Sequence, residues 1–274
     1  MRHFLLYGFT FLLALGLAGY FLWWPYFAGL QGAERIELTR DAPFLEPDPA
    51  LLDAFLAEVV TDDGLVDYAK AQGPVSAMLD AYLAQVAEAT PADFSSADAR
   101  LAFYINAYNA LVIRSVLNYW PLQSVDDAGP LRRFFRERKH RVAGRMVSLH
   151  GFETKVIGKY DPRFHLALNC AARSCPPLAK TAYRGEILQT QLDQATRLFL
   201  NDPRFHRFDE ASGQFHLSKI FSWYMDDFGG EKELRRFIQY HRPAAADASW
   251  VFSPYDWRLN DARILTREEV KHSF

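Results

Sequence analysis

Residues 161–178 read DPRFHLALNCAARSCPPL and contain both cysteines of the 274-residue chain. The apolar run from Arg163 to Asn169 follows a proline and is typical of a short, buried strand. After it, Ser174 and the two prolines behind Cys175 are typical of either a helix start or an extended turn. If a helix starts there, its positive end would favour the thiolate form of Cys175, which is the form that attacks electrophiles. The stretch therefore predicts a reactive cysteine.

The same two cysteines, Cys170 and Cys175, are also candidates for a disulfide. They stand five positions apart, and such pairs form readily in oxidising compartments. A buried cysteine can equally be a small hydrophobic residue of the core. His165 is ambiguous in the same way, because a histidine on an apolar strand is more often a core residue than a catalytic base. The residues by themselves leave these interpretations open.

The composition describes a chain with a sizeable core and little excess charge. Hydrophobic residues make up 50% of the sequence, and the formal net charge is -2 at pH 7. A chain of this length and hydrophobicity can bury a large core. The slightly negative charge argues against electrostatic binding to nucleic acid, so we expect no nucleic-acid partner.

Residues 4–30 form an apolar run without a charged residue. The run exceeds the roughly 20 residues that a helix needs to cross a bilayer. Arg2 precedes it, and Trp23 and Trp24 lie near its far end, which predicts a transmembrane helix with its amino terminus in the cytoplasm and the membrane as a partner. We expect an N-terminal membrane anchor or signal sequence at 1–33, a linker at 34–49, and a domain at 50–274 that faces the periplasm or another extracytoplasmic space.

Helical spacing of apolar residues recurs through the rest of the chain. It predicts helices near residues 51–59 and 75–87 and a long, buried helix over residues 96–119. Short β-hairpins are predicted around residues 143–144 and 210–213. The pattern predicts an α+β fold, a helix-rich single domain with a small antiparallel sheet, for which a papain-like architecture is one candidate.

Polar residues interrupt the apolar sequence of the predicted long helix. Asn106 and Asn109 lie three positions apart on one face, next to Tyr108. A buried amide needs a hydrogen-bond partner. These amides therefore either bond to loop backbone and fix the fold, or line a pocket with Cys175 and hold a histidine or an oxyanion.

A further helix is predicted to start at Ser148, with His150 and Glu153 in its first turn. The two lie three positions apart and face the same way, as an acid–base pair or two metal ligands do. Glutamate is also common at solvated helix starts. The sequence contains no phosphate-binding glycine loop, no dinucleotide fingerprint and no four-cysteine zinc pattern, so we expect no cofactor and no bound metal.

Four segments, in this order and spacing, resemble the domain of unknown function 547 family. They are FYINAYNAL, SLHGFE, DPRFHLALNCAARSCPPL and LSKIFSWYMDDF, which lie between residues 103 and 228, and the resemblance covers roughly residues 51–260. Thr154 stands where relatives often carry a histidine, so the resemblance assigns that position no metal or acid–base role. The family name gives no activity. Its order of histidine, asparagine and cysteine is similar to that of papain-like and transglutaminase-like thiol enzymes. In papain-like enzymes a side-chain amide six residues before the nucleophile donates to the oxyanion, and Asn169 lies six before Cys175.

These observations favour a thiol hydrolase or acyltransferase that acts on an amide or related acyl bond of an unknown peptide or small molecule. The nucleophile would be Cys175, with Cys170 as the alternate. The base would be His165 or His150, oriented by Glu153 or Asn106. The residues expected to bind the substrate or the oxyanion are Asn169, Asn109, Tyr108, Ser174 and Arg173.

Two other classes of function stay open. One is a non-catalytic, membrane-anchored binding or scaffold module in which a Cys170–Cys175 disulfide staples the loop. Bonded sulfurs with no cavity beside them would favour that class. The other is a metal-dependent hydrolase with His150, Glu153 and His165 as ligands, since an open catalytic metal site needs three converging ligands.

Overall fold

The helix Ala97–Tyr119 runs through the hydrophobic core of the computed structural model, which describes residues 45–128, 133–245 and 248–263. Ser96 begins it, because its hydroxyl accepts a hydrogen bond from the Ala99 N–H at 3.0 Å. The helix ends two residues before Pro121, since proline lacks the N–H that a helix requires. Most of its residues are buried, which confirms the predicted long, buried helix.

Helices dominate the described residues, and short strands form two small sheets. The helices are α1 (Pro49–Val59), α2 (Tyr68–Ala71), α3 (Ser76–Glu88), α4 (Ala97–Tyr119), α5 (Arg133–Arg136), α6 (Leu149–Lys155), α7 (Leu188–Asn201), α8 (Lys219–Trp223) and α9 (Glu231–His241). The strands are β1 (Lys139–Val142), β2 (Arg145–Ser148), β3 (Arg207–Asp209), β4 (Gln214–Leu217) and β5 (Ser249–Phe252). The prediction of a helix-rich α+β fold is therefore confirmed.

Both predicted hairpins are present, but the larger sheet is mixed. Strands β1 and β2 pair antiparallel through a turn at Ala143 and Gly144, whose φ angles are 49° and 74°. Strand β3 pairs antiparallel with β4, whereas β5 pairs parallel with β4. The expectation of a purely antiparallel sheet is wrong here, because the crossover through α9 returns the chain so that β5 runs in the direction of β4.

Two hydrophobic clusters meet at residues 161–178. The larger cluster surrounds α4 and includes Phe164 and Ala171. The smaller one packs α7, α8, α9 and β4 together and includes Leu166. Neighbouring residues of this stretch thus contribute to different clusters, and the stretch lies at their junction.

The predicted strand from Arg163 to Asn169 is wrong. Residues Pro162–Leu166 form a 3₁₀ helix instead, which begins where the Asp161 carboxylate accepts a hydrogen bond from the Arg163 N–H at 2.9 Å. Proline at the first position sets a helical φ angle, and this local geometry overrides the apolar pattern.

Of the two alternatives for the prolines after Cys175, the helix start is wrong, and the non-helical segment agrees with the extended turn. After Ser174 the chain runs through Pro176 and Pro177 without helical structure, and the next α-helix, α7, begins at Leu188. A residue that precedes proline is sterically disfavoured in the helical region, and two successive prolines impose this on Cys175 and on Pro176. A helix dipole therefore does not act on the Cys175 sulfur.

The predicted anchor, residues 1–33, and most of the predicted linker, residues 34–49, lie outside the described residues. Within the part of the chain that the structure describes, no helix combines the length and the apolar character needed to cross a membrane.

Candidate functional site

A cavity of about 270 Å³ opens at the junction of the two clusters. The cavity is lined by residues from α4, α6, α8, the 161–178 stretch and the C-terminal segment that follows β5 and contains Tyr255 and Trp257. The predicted residues on its wall are Tyr108, His150, Glu153, His165, Cys170 and Cys175. The fold thus brings six predicted residues from three sequence segments around one cavity.

The two cysteines on the cavity wall form a disulfide, with 6.1 Å between their Cα atoms. Cys175 is only 3% exposed, whereas Cys170 is partly exposed. The Cys170 N–H donates to Cys175 Sγ at 2.9 Å, and the Tyr255 hydroxyl lies 3.1 Å from both sulfurs. Cys175 Sγ therefore contacts two hydrogen-bond donors. The bonded sulfurs agree with the binding-module alternative, while the cavity beside them agrees with an enzyme.

The loop that carries the disulfide is closed by the side chain of Asn169. Its Nδ2 donates to the Pro176 carbonyl at 2.8 Å, and its Oδ1 accepts from the Ala171 N–H and from Asn260 Nδ2 at 2.9 and 3.0 Å. Asn109 on α4 accepts a hydrogen bond from the Asn169 N–H at 2.9 Å. Asn169 is therefore a residue that fixes the loop, and it does not line the cavity.

Arg173 and Ser174 also hold the loop and do not line the cavity. The Arg173 N–H donates to the Arg258 carbonyl at 2.8 Å, and the Ser174 hydroxyl accepts from the Asp256 N–H at 2.8 Å. These bonds attach the C-terminal segment to the cysteine loop. They thereby place the neighbouring Tyr255 against the sulfurs.

The two asparagines of α4 bond to loop backbone, as the first of the two sequence interpretations expects. Asn106 donates to the carbonyl of Tyr183 and accepts from its N–H, both at 2.8 Å. Asn109 Nδ2 donates to the Ala167 carbonyl at 3.0 Å. Asn106 does not orient a histidine, because both ends of its amide are used on Tyr183.

His165 is oriented by Asp227, a residue that sequence reasoning missed. Its Nε2 lies 2.8 Å from Asp227 Oδ2, and its ring stacks on Tyr224 with 3.7 Å between centroids. Burial lowers the pKa of His165 to about 4, although the Asp227 carboxylate acts in the opposite direction. His165 is thus neutral near pH 7. The available signal was the acidic pair Asp226-Asp227 near the end of the segment LSKIFSWYMDDF.

Glu153 projects into the same region from α6, whose start at Ser148 is confirmed by a hydrogen bond from the Gly151 N–H to the serine hydroxyl at 3.2 Å. Its carboxylate accepts from the hydroxyls of Tyr224 at 2.5 Å and Tyr108 at 3.3 Å. Burial raises the pKa of Glu153, and the two hydroxyls offset part of that rise. A raised pKa in a cavity suits an acid–base group. His150, on the same helix, is exposed and also lines the cavity.

Aromatic rings form one wall of the cavity. Tyr255 lies 4.7 Å from Trp223 and 4.5 Å from Trp257 between ring centroids. Trp223 is 40% exposed although it is large and apolar. Such a wall can bind a flat or apolar group of a ligand.

The metal-enzyme alternative lacks a ligand set. In residues 45–128, 133–245 and 248–263, no three side chains of histidine, cysteine, aspartate or glutamate are arranged to hold a metal ion. Glu153 is instead bonded to tyrosines and His165 to Asp227. The structure therefore gives the proposed ligands other partners.

Comparison with known proteins identifies the family. Neither the curated proteins nor the solved structures contain a match to this chain. Residues 92–200 match the family model described as "Protein of unknown function, DUF547". The matched range includes α4, α6 and the whole disulfide loop. The resemblance found in the sequence motifs is thereby confirmed, since residues 92–200 of this chain match the DUF547 family model.

Proposed function

We propose that the cavity is the active site of a thiol hydrolase or acyltransferase that acts on an amide or related acyl bond after the Cys170–Cys175 disulfide is reduced. The observation that carries this proposal is that both cysteines and His165, which is bonded to Asp227, line the same cavity. A nucleophile, a base and a group that orients the base are the parts that covalent acyl transfer requires.

Cys175 is the nucleophile in this proposal. Its sulfur receives the Cys170 N–H at 2.9 Å and lies 3.1 Å from the Tyr255 hydroxyl. Both donors stabilise a thiolate more than a thiol, and they replace the helix dipole that the sequence predicted. Of these two contacts, the sulfur of Cys170 has only the one with the Tyr255 hydroxyl. A thiolate at Cys170 is therefore less stabilised than one at Cys175.

His165 is the base because its neutral ring has a free lone pair. Asp227 accepts the N–H of Nε2, which leaves Nδ1 as the nitrogen that can take a proton. His165 takes the proton of the Cys175 thiol at Nδ1, and the sulfur attacks the carbonyl carbon. The tetrahedral intermediate then expels the leaving group, which takes that proton from His165, and water or a second acceptor cleaves the thioester and frees Cys175.

The oxyanion donor in this proposal is the Tyr255 hydroxyl rather than Asn169. Tyr255 lies beside both sulfurs, whereas Asn169 Nδ2 already donates to the Pro176 carbonyl. A donor held by the fold at the developing charge is the usual source of transition-state stabilisation.

The test uses p-nitrophenyl acetate and the purified full-length chain. Cys170→Ser keeps the Cys175 thiol permanently free, and Cys175→Ser removes it. We expect mass spectrometry to find an acetyl group on Cys175 in the reduced wild type and in Cys170→Ser, but not in the oxidised wild type. When Asp227→Asn is added to the Cys170→Ser variant, acetylation of Cys175 should slow by roughly 100-fold or more, because the histidine loses the group that orients it. The proposal is overturned if Cys175 of the Cys170→Ser variant is acetylated no faster in the folded protein than in the urea-unfolded protein.

A non-catalytic binding module is the second candidate, and the disulfide supports it. In the bonded state no thiolate exists, while the aromatic wall of Trp223, Tyr255 and Trp257 remains. The oxidised chain should then bind the fluorescent probe 8-anilinonaphthalene-1-sulfonate in the cavity, and Trp223→Ala should weaken that binding. Unchanged affinity in Trp223→Ala, compared with the exposed-residue control Tyr240→Ala, contradicts this candidate.

We further propose that residues 4–30 anchor the chain in a membrane with the domain on the periplasmic or another extracytoplasmic side. The uncharged apolar run supports the anchor. The disulfide agrees with an oxidising compartment. When the chain is expressed in a bacterium, we expect it in the membrane fraction, with the domain digested by protease added to spheroplasts. A protected domain or a chain in the soluble fraction contradicts the placement.

A further inference from the structure

The Cys170–Cys175 disulfide lies on the cavity wall, and its two sulfurs have different surroundings. Cys175 is 3% exposed, and the Cys170 N–H donates to its Sγ at 2.9 Å. Cys170 is partly exposed and lines the same cavity. Of the two bonded cysteines, Cys170 is therefore the more accessible residue.

The loop is held by hydrogen bonds in addition to the disulfide. Asn169, Asn109 and Asn260 close the loop with buried hydrogen bonds, and the backbone of Arg173 bonds to Arg258. A crosslink between residues only five positions apart also constrains the unfolded chain little. We therefore expect the reduced protein to keep its fold, as a disulfide that is opened and closed in use requires.

The hydrogen bonds determine which sulfur leaves when the disulfide is attacked. In thiol–disulfide exchange, the sulfur that is better stabilised as a thiolate leaves faster. The Tyr255 hydroxyl lies 3.1 Å from both sulfurs and stabilises either one as a thiolate, whereas the Cys170 N–H donates to Cys175 Sγ and makes Cys175 the better leaving group. Attack on Cys170 with departure of Cys175 is thus favoured both by access and by the stability of the leaving group.

We propose that the cavity carries out thiol–disulfide exchange with a small-molecule thiol, and that this reaction switches the site on. The thiolate of the small molecule attacks Cys170 Sγ, the bond between the two cysteine sulfurs breaks, and Cys175 leaves as a thiolate. A second molecule of the thiol then attacks the mixed disulfide at the sulfur that came from the first small molecule. This attack releases the small-molecule disulfide and leaves Cys170 as a thiolate. Two thiols are oxidised and one protein disulfide is reduced. This inference rests on the proposed function in one respect, namely that the released Cys175 thiolate is the nucleophile proposed above.

The experiment mixes the oxidised full-length chain with reduced glutathione and quenches the reaction with N-ethylmaleimide. We expect the first product, read by peptide mass spectrometry, to carry glutathione on Cys170 and maleimide on Cys175, at least tenfold more abundant than the reverse product. Tyr255→Phe should slow the exchange by about tenfold, because it removes a hydrogen bond to the leaving thiolate. Tyr240→Phe, at a tyrosine that is 81% exposed, should leave the rate unchanged.

Three results overturn the inference. They are equal modification of the two cysteines, glutathione found mainly on Cys175, and an exchange rate that equals that of the urea-unfolded chain. Near-ultraviolet circular dichroism of Tyr255→Phe shows whether its fold is intact, and the wild-type product ratio tests the proposal without any variant.

The outcome is separable from that of the proposed function. Acetylation of Cys175 in Cys170→Ser needs no exchange, since that variant has no disulfide. Exchange without acetylation leaves the redox activity in place and refutes the acyl-transfer proposal. Acetylation of Cys175 without selective exchange leaves the acyl-transfer proposal in place and refutes the redox inference.

Discussion

Acidification should destabilise the protein through His206. This histidine is fully buried, and its Nδ1 lies 2.9 Å from the Phe199 carbonyl. Nδ1 must therefore donate, which leaves Nε2 as the nitrogen that would take a proton. Nε2 is buried and has no hydrogen-bond partner among the described residues. Burial, assisted by the nearby Arg242, lowers the pKa of His206 to about 4, while the Phe199 carbonyl and Asp202 act against this shift.

The size of the effect follows from the difference in pKa between the folded and unfolded states. The pKa is 6.5 in the unfolded chain and about 4 in the folded one. Between these values the unfolded state binds more protons, so the free energy of unfolding rises with pH and is lost as pH falls from 6.5 towards 4. For this single histidine, a change from about pH 7 to about pH 5 should lower the free energy of unfolding by about 2 kcal/mol.

The assay is urea unfolding of the full-length chain at the two pH values, followed by tryptophan fluorescence. In His206→Asn the fall in stability between the two pH values should be about 2 kcal/mol smaller than in the wild type, because the titrating ring is gone. Phe221→Leu is the control, since it removes a ring 5.9 Å from that of His206 and no titratable group. It should lower stability at both pH values and keep the full pH dependence. An equal pH dependence in His206→Asn and the wild type refutes the reasoning.

Two further predictions concern the cysteine loop. Asn169→Ala should lower the free energy of unfolding by about 3 kcal/mol or more, because it leaves the partners of three buried hydrogen bonds unsatisfied. Asn201→Ala, at an exposed amide, should change it by less than about 0.5 kcal/mol in the same urea titration, and similar losses contradict the prediction. Gly64→Ala should cost about 2 kcal/mol more than Gly213→Ala, since both have positive φ angles but only the new Cβ at Gly64 would lie 2.4 Å from Pro177 Cβ. Equal melting temperatures of the two glycine variants would contradict this prediction and would show that the loop at Pro177 moves to accommodate the new Cβ.

The sequence predicted those elements whose signals lie within one or two turns of chain. The long helix α4, the hairpin at Ala143-Gly144 and the start of α6 at Ser148 were all predicted and are present. The same local reasoning failed between Arg163 and Cys175. There the apolar pattern predicts a strand, although Pro162 favours the 3₁₀ helix that forms, and the pattern does not choose between a helix start and the extended segment that the structure has after Cys175.

The site shows the same division between local and long-range information. The sequence identified Glu153, His165 and both cysteines, and the structure places them on one cavity. The sequence could not show that Asp227, which lies 62 positions after His165, orients that histidine. For the asparagines of α4 it left two uses open, and the structure shows hydrogen bonds to loop backbone.

By itself, the sequence determined the helix-rich α+β fold, the family and the residue types available for chemistry. Periodicity, capping residues and motif spacing depend on neighbours in the chain, and they can therefore be read without the fold. Only the tertiary structure decided that the two sulfurs are bonded and that Tyr255, 80 positions beyond Cys175, lies 3.1 Å from its sulfur. The physical reason is that such contacts depend on how two hydrophobic clusters pack against each other at residues 161–178, and no local pattern encodes that packing.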